Sequence, residues 1–112
     1  MLNNTVKDSI NKTKNTPELT ILTPYNGQAI SNIFNITWNQ TDADNNTVVN
    51  TLLLSSNGGV DFITLEVDYN DTFYELNTST FSEGDDYVLK ILASDGFNTD
   101  EESVNFTIDQ DL

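Results

Sequence analysis

From Pro17 onward the sequence predicts an all-β domain, a seven-stranded antiparallel β-sandwich. Short runs rich in Val, Ile, Thr, Phe and Tyr are broken by turn residues at intervals of about eight to twelve positions, the spacing of a sandwich. Within the runs, apolar and polar residues alternate, as a strand with one wet face requires. Residues 1–16 differ: they are polar, and Val6 and Ile10 alone cannot hold a helix. They read as a disordered linker or lead-in, and 17–112 as the sandwich.

The first run, Leu19 to Thr23, is closed by Pro24-Tyr25-Asn26-Gly27, where Asn-Gly favours positive φ. The second is the most regular, with Phe34, Ile36 and Trp38 alternating with Asn35, Thr37 and Asn39. Thr41 to Thr47 is a polar loop. Val48 to Leu54 carries apolar residues on both faces and is expected at the centre of a sheet. Ser55-Ser56-Asn57-Gly58-Gly59 is a tight turn, and Phe62 to Val67 is a strand with Ile63, Leu65 and Val67 on one face. Phe73 to Asn77 puts Tyr74 and Leu76 inside. Tyr87 to Ala93 does the same with Tyr87, Leu89, Ile91 and Ala93. The turn Asp95-Gly96-Phe97-Asn98 leads to the last strand, Ser103 to Ile108.

Composition narrows function. With no cysteine there is neither a disulfide framework nor a thiolate metal site, and with no histidine the commonest general base is missing. Serine–histidine and cysteine–histidine nucleophile systems are excluded. Glycoside hydrolysis by paired carboxylates has no arginine to orient a substrate, so no enzyme activity is expected. The net charge is −14, and after Lys7, Lys12 and Lys14 the sole basic residue is Lys90. Such a surface repels phosphate backbones and anionic lipid, which excludes nucleic-acid partners. No apolar stretch of about twenty residues is present for direct membrane insertion.

Asn-x-Ser/Thr sequons begin at Asn3, Asn11, Asn35, Asn39, Asn45, Asn70, Asn77 and Asn105. With sixteen asparagines, and Ser plus Thr at about a fifth of residues, roughly three would arise by chance. The excess points to an extracellular or cell-surface glycoprotein, with Asn35, Asn39, Asn45, Asn70, Asn77 and Asn105 as acceptors inside the domain.

Two features go beyond alternation. Trp38 ends the inward face of the second strand, where a large ring can centre a core. Phe81-Ser82-Glu83-Gly84-Asp85-Asp86-Tyr87 leads into the sixth strand with Phe, Gly and Tyr at intervals of three. A tyrosine at such a corner folds back to bond the backbone of the preceding loop, and the glycine is expected to let that loop turn tightly. With Phe34-Asn35-Ile36-Thr37-Trp38, the Ser55–Gly59 turn and Ile91-Leu92-Ala93-Ser94-Asp95-Gly96, these residues resemble a fibronectin type III domain over roughly residues 17–109. The combination is similar to modules strung along archaeal and bacterial surface proteins and secreted enzymes. The resemblance implies an immunoglobulin-like sandwich acting as a spacer, adhesion module or accessory domain.

In that topology the loops at Thr41–Thr47, Asp68–Thr72 and Asp95–Glu102 lie at one end. Their oxygen donors repel one another, and a hard cation relieves that repulsion. The expected Ca²⁺ ligands are Asp42, Asp44, Asn46, Asp95 and Asp100, centred on the Asp-x-Asp pair; the loop has neither the glycine nor the bidentate glutamate of an EF-hand. Otherwise no cofactor is expected. Loop aromatics for sugar binding are Tyr25, Tyr69 and Phe97. The favoured reading is a non-catalytic structural or spacer module of an extracellular or cell-envelope protein, whose partners are neighbouring domains of a longer chain or envelope proteins. The alternative is an adhesion or ligand-binding module with Ca²⁺ on the acidic loop end.

Overall fold

The computed structural model describes residues 17–41 and 47–111. The lead-in 1–16 and the residues Asp42, Asp44, Asn45 and Asn46 lie outside them. Eight strands are described: β1 (Glu18–Thr23), β2 (Gln28–Ile30), β3 (Ile33–Thr41), β4 (Val49–Ser55), β5 (Ile63–Tyr69), β6 (Phe73–Asn77), β7 (Gly84–Ser94) and β8 (Thr99–Ile108). A 3-10 turn, Thr78–Thr80, follows β6. The protein is therefore mostly β, built as two sheets ordered β1-β3-β6 and β2-β8-β7-β4-β5.

One core lies between the sheets. Leu19, Ile36, Trp38 and Leu76 come to it from the smaller sheet, and Ile30, Leu52, Leu54, Leu89, Ile91, Val104, Phe106 and Ile108 from the larger. Alternation in β3, β7 and β8 delivers these residues inward, so the binary pattern and the pleat agree. Burying them is the main stabilising term, at roughly 25 cal/mol per Å² of apolar surface removed from water.

Three expectations need correction. The seven-stranded, wholly antiparallel count missed β2, which pairs in parallel with β8 (Gln28↔Phe106, Ala29↔Thr107, Ile30↔Ile108). β2 is three residues long and directs one side chain, Ile30, into the core, too short a pattern to register as a period. Gly27 has the positive φ expected of Asn-Gly, 82°, in the turn that carries the chain from β1 in one sheet to β2 in the other.

Second, β5 does not keep Ile63, Leu65 and Val67 on one buried face. Its register against β4 shifts twice, so that Glu66 stands opposite buried Leu52, and Asp68 adopts φ 51°. Ile63 and Val67 are 53% and 57% exposed. Bulges of this kind bend an edge strand and interrupt the row of groups it offers to foreign chains. Third, Gly84 is not required by backbone conformation. It has no positive φ, and an added Cβ would sit 3.6 Å from the Tyr87 ring, an ordinary contact.

The register fixes two poles. Glu18↔Thr41, Val49↔Ser94, Asn50↔Tyr69 and Ser94↔Thr99 gather the start of β1, the end of β3, the start of β4 and the β5–β6 and β7–β8 connections at one pole. Ile33↔Asn77, Ser55↔Val88 and Gly84↔Ile108 gather the others, with the end of β8, at the opposite pole.

Candidate functional site

The first pole is the place where the sequence put oxygen ligands, and the two described members of that set, Asp95 and Asp100, are bonded to backbone. Asp95 is buried, and its Oδ1 accepts from the N–H groups of Phe97 (2.8 Å) and Asn98 (2.7 Å), closing the β7–β8 turn around Gly96 at φ 92°. The side chain of an Asp reproduces a turn of backbone in this arrangement. The Asp100 Oδ2 accepts from Leu19 N–H at 3.1 Å, and its Oδ1 from Glu101 N–H at 2.9 Å. Asp100 thereby ties the first residues of β1 to the start of β8, across the two sheets. Asp42, Asp44 and Asn46 complete the expected cation set and fall outside the described residues.

Asn50 organises the same pole from below. Its side chain is 1% exposed, and Nδ2 donates to the carbonyls of Tyr69 (3.1 Å) and Asp71 (3.4 Å), on either side of Asn70. The Tyr69 ring packs against Trp38 (6.3 Å between centroids) and edge-on to Tyr74 (5.9 Å), and its hydroxyl donates to Phe73 O at 2.6 Å. Burial raises the Tyr69 pKa above its ordinary value, and the charges of Asp71, Glu66 and Glu75 push it the same way. Tyr69 thus belongs to the core's edge, while Tyr25 and Phe97 are 62% and 66% exposed on separate turns. The three loop aromatics do not converge on one sugar platform.

At the opposite pole the tyrosine corner is present. Tyr87 O–H donates to Ser82 O at 2.6 Å, and its ring meets Phe81 edge-on at 6.3 Å and stacks on Phe106 at 5.6 Å. Burial raises the Tyr87 pKa. Gln110 Nε2 donates to the carbonyls of Thr78 (2.9 Å) and Phe81 (3.1 Å), and Asp109 N–H to Ile30 O (3.0 Å), fastening the segment that follows β8.

Two features here were not anticipated. Glu83, Asp109 and Asp111 bring one carboxylate oxygen each within 4.8 Å of one another. Sequence reasoning missed this trio because its members lie in different turns that meet through the β7–β8 register. A cleft of about 280 Å³ lies between the β4–β5 turn and the corner, lined by Leu54, Asp61, Phe62, Ile63, Phe81 and Tyr87. Its volume is at the small end for a ligand pocket. Lys90 Nζ stands 4.7 Å from the Phe62 ring centroid.

The sequon asparagines separate by setting. Asn35, Asn39, Asn70, Asn77 and Asn105 are all exposed. Asn35 and Asn39 occupy the outward face of β3, Asn70 the β5–β6 loop, Asn77 the end of β6, and Asn105 the outward face of β8. Asn45 lies outside the described residues.

No protein-family model matches this sequence, and no curated protein matches it. Among solved structures, the chain is similar to part of an endo-β-1,4-mannanase from Thermotoga petrophila (TM-score 0.66, 11% identity), covering 84% of this chain and 20% of that one. It is also similar to part of an engineered protein (TM-score 0.56, 16% identity; 83% of this chain and 20% of that one). The chain spans about a fifth of the length of each. At these identities the likeness is one of fold: a two-sheet, all-β protein.

Proposed function

We propose that this chain is an immunoglobulin-like module of the fibronectin type III kind, serving as a non-catalytic spacer in an extracellular or cell-envelope protein. The strand order β1-β3-β6 facing β2-β8-β7-β4-β5 supports the fold reading, as do core Trp38 and the Tyr87–Ser82 corner bond. The observation that carries the spacer role is polarity. β1 starts at one pole, held by Leu19 N–H to Asp100, and β8 ends at the other, where Gln110 and Asp109 hold the residues after it. Neighbouring units would therefore extend in line. The excess of sequons supports placement outside the cell.

Tandem fusions of two and three copies test this by small-angle scattering. The expected result is a maximum dimension that grows by one module length per copy. Copies that fold back side by side, leaving the dimension nearly constant, would refute the spacer role. Placement is tested separately, by protease shaving of intact source cells followed by detection of the released fragment.

A further inference from the structure

We propose that Asn39 and Asn70 are the principal N-glycan acceptors of the described domain, and that the fold joins them as one glycosylated patch at the pole where β1 begins. This rests on the extracellular reading above.

The two sequons are remote in sequence and linked in space. Trp38, immediately before Asn39, donates its N–H to the carbonyl of Thr72, the hydroxyl residue of the Asn70 sequon, at 3.1 Å. The residues preceding the two asparagines, Trp38 and Tyr69, turn inward and meet with 6.3 Å between ring centroids. Each asparagine follows an inward ring and is itself exposed. Asn50 clamps the carbonyls on both sides of Asn70, fixing the backbone that carries that residue.

Local bonding ranks the other described sequons below these. Thr41 and Thr72 are exposed, and among the described residues no hydrogen bond engages the side chain of Asn39, Thr41, Asn70 or Thr72. In the Asn35 sequon, the Thr37 hydroxyl is half-buried and lies 2.7 Å from Thr23 Oγ1. In the Asn77 sequon, Asn77 Oδ1 accepts from both the N–H (3.1 Å) and the hydroxyl (2.7 Å) of Ser79, capping the 3-10 turn. In the Asn105 sequon, Thr107 is half-buried beside Ala29 of β2. A transferase must reach both the carboxamide and the hydroxyl two residues on, and these three sequons withhold one of them.

The donor is a lipid-linked oligosaccharide, with its anomeric carbon esterified to a polyprenyl phosphate or diphosphate. The Asn Nδ2 attacks that carbon, the N–C1 bond forms as the C1–O bond to phosphate breaks, the polyprenyl phosphate or diphosphate of the donor leaves intact, and Nδ2 gives one proton to a base of the transferase. The redox state is unchanged. Glycans at this pole would flank the start of β1, where Thr20 pairs with Asn39, and shield it from proteases.

The test uses the purified, folded full chain with a single-subunit oligosaccharyltransferase and lipid-linked oligosaccharide, read by peptide mass mapping over time. Asn39 and Asn70 are expected to be modified several-fold faster than Asn35, Asn77 and Asn105. In urea that ranking should collapse, which separates structure from the enzyme's own sequence preference. Thr41→Val and Thr72→Val should each abolish one site and leave melting unchanged. Equal rates at all five sites in the folded chain, or no transfer to Asn39 and Asn70 unless the chain is unfolded, would overturn the proposal. Glycopeptide mapping of the protein from its own source keeps the two readings apart. Shaved surface protein bare at both sites defeats the glycan patch alone, whereas recovery only from cytoplasm defeats both.

Discussion

Two phenols carry testable consequences at the scale of single residues. Tyr87→Phe removes the bond to Ser82 O while keeping the ring against Phe81 and Phe106, and should cost about 1–2 kcal/mol in urea denaturation. Both Tyr69 and Tyr87 have folded pKa values raised above the ordinary 10.0. The folded state therefore holds their protons more tightly than the unfolded chain. Their contribution to stability is complete below pH about 10 and is lost as pH rises through the folded values. Base-induced unfolding should set in above that pH, and Tyr87→Phe should flatten the stability loss between neutral and strongly alkaline pH. Asn50→Ala should cost about 1–3 kcal/mol through two lost donors and a small cavity, and hydrogen exchange should speed up first in residues 69–72. The sequence exposed Tyr87 through its spacing from Phe81 and Gly84. It hid Asn50, because a polar residue inside an apolar run looks like an outward position until the loop it holds is seen.

Strands tell the same story at the next scale. β3, β7 and β8 were legible because one wet face imposes alternation over many residues. β2 was not, since three residues hold one inward side chain and gain their place from pairing with β8, a partner remote in sequence. Ile30→Ala should nonetheless cost about 2–5 kcal/mol, as for any fully buried isoleucine, and a thermal melt reads it directly. β5 was misread for the opposite reason: its apolar residues follow a strand period that two register shifts then break. Among the described residues, the side-chain tie between the start of β1 and β8 runs through Asp100. Asp100→Ala should speed exchange of the Leu19 amide and lower the melting temperature equally in Ca²⁺ and in chelator. A stability difference between those two conditions in the parent protein, abolished by the variant, would instead assign Asp100 to a cation.

For the molecule as a whole, charge is the dominant global property. A net charge of −14 on a fold this small, with Lys90 the one basic side chain after Pro17, stores self-repulsion that salt screens. The melting temperature should rise as NaCl is added from low ionic strength, with most of the gain complete near physiological salt, where the Debye length falls to about 8 Å. The acidity was fully legible in composition. Its distribution was not: Asp95 and Asp100 spend their carboxylates on backbone donors, while Glu83, Asp109 and Asp111 converge at the far pole. Strand direction also decides how the domain bears tension. β2 and β8 run in parallel near the exit of the chain, so pulling the two ends apart slides these strands lengthwise past each other. The bonds Gly27 N–H to Asn105 O and Asp109 N–H to Ile30 O, with the ladder between them, must then yield together rather than unzip in turn. The shortest strand described in the protein is thus its mechanical latch, resisting load in the direction in which a string of such domains would be stretched.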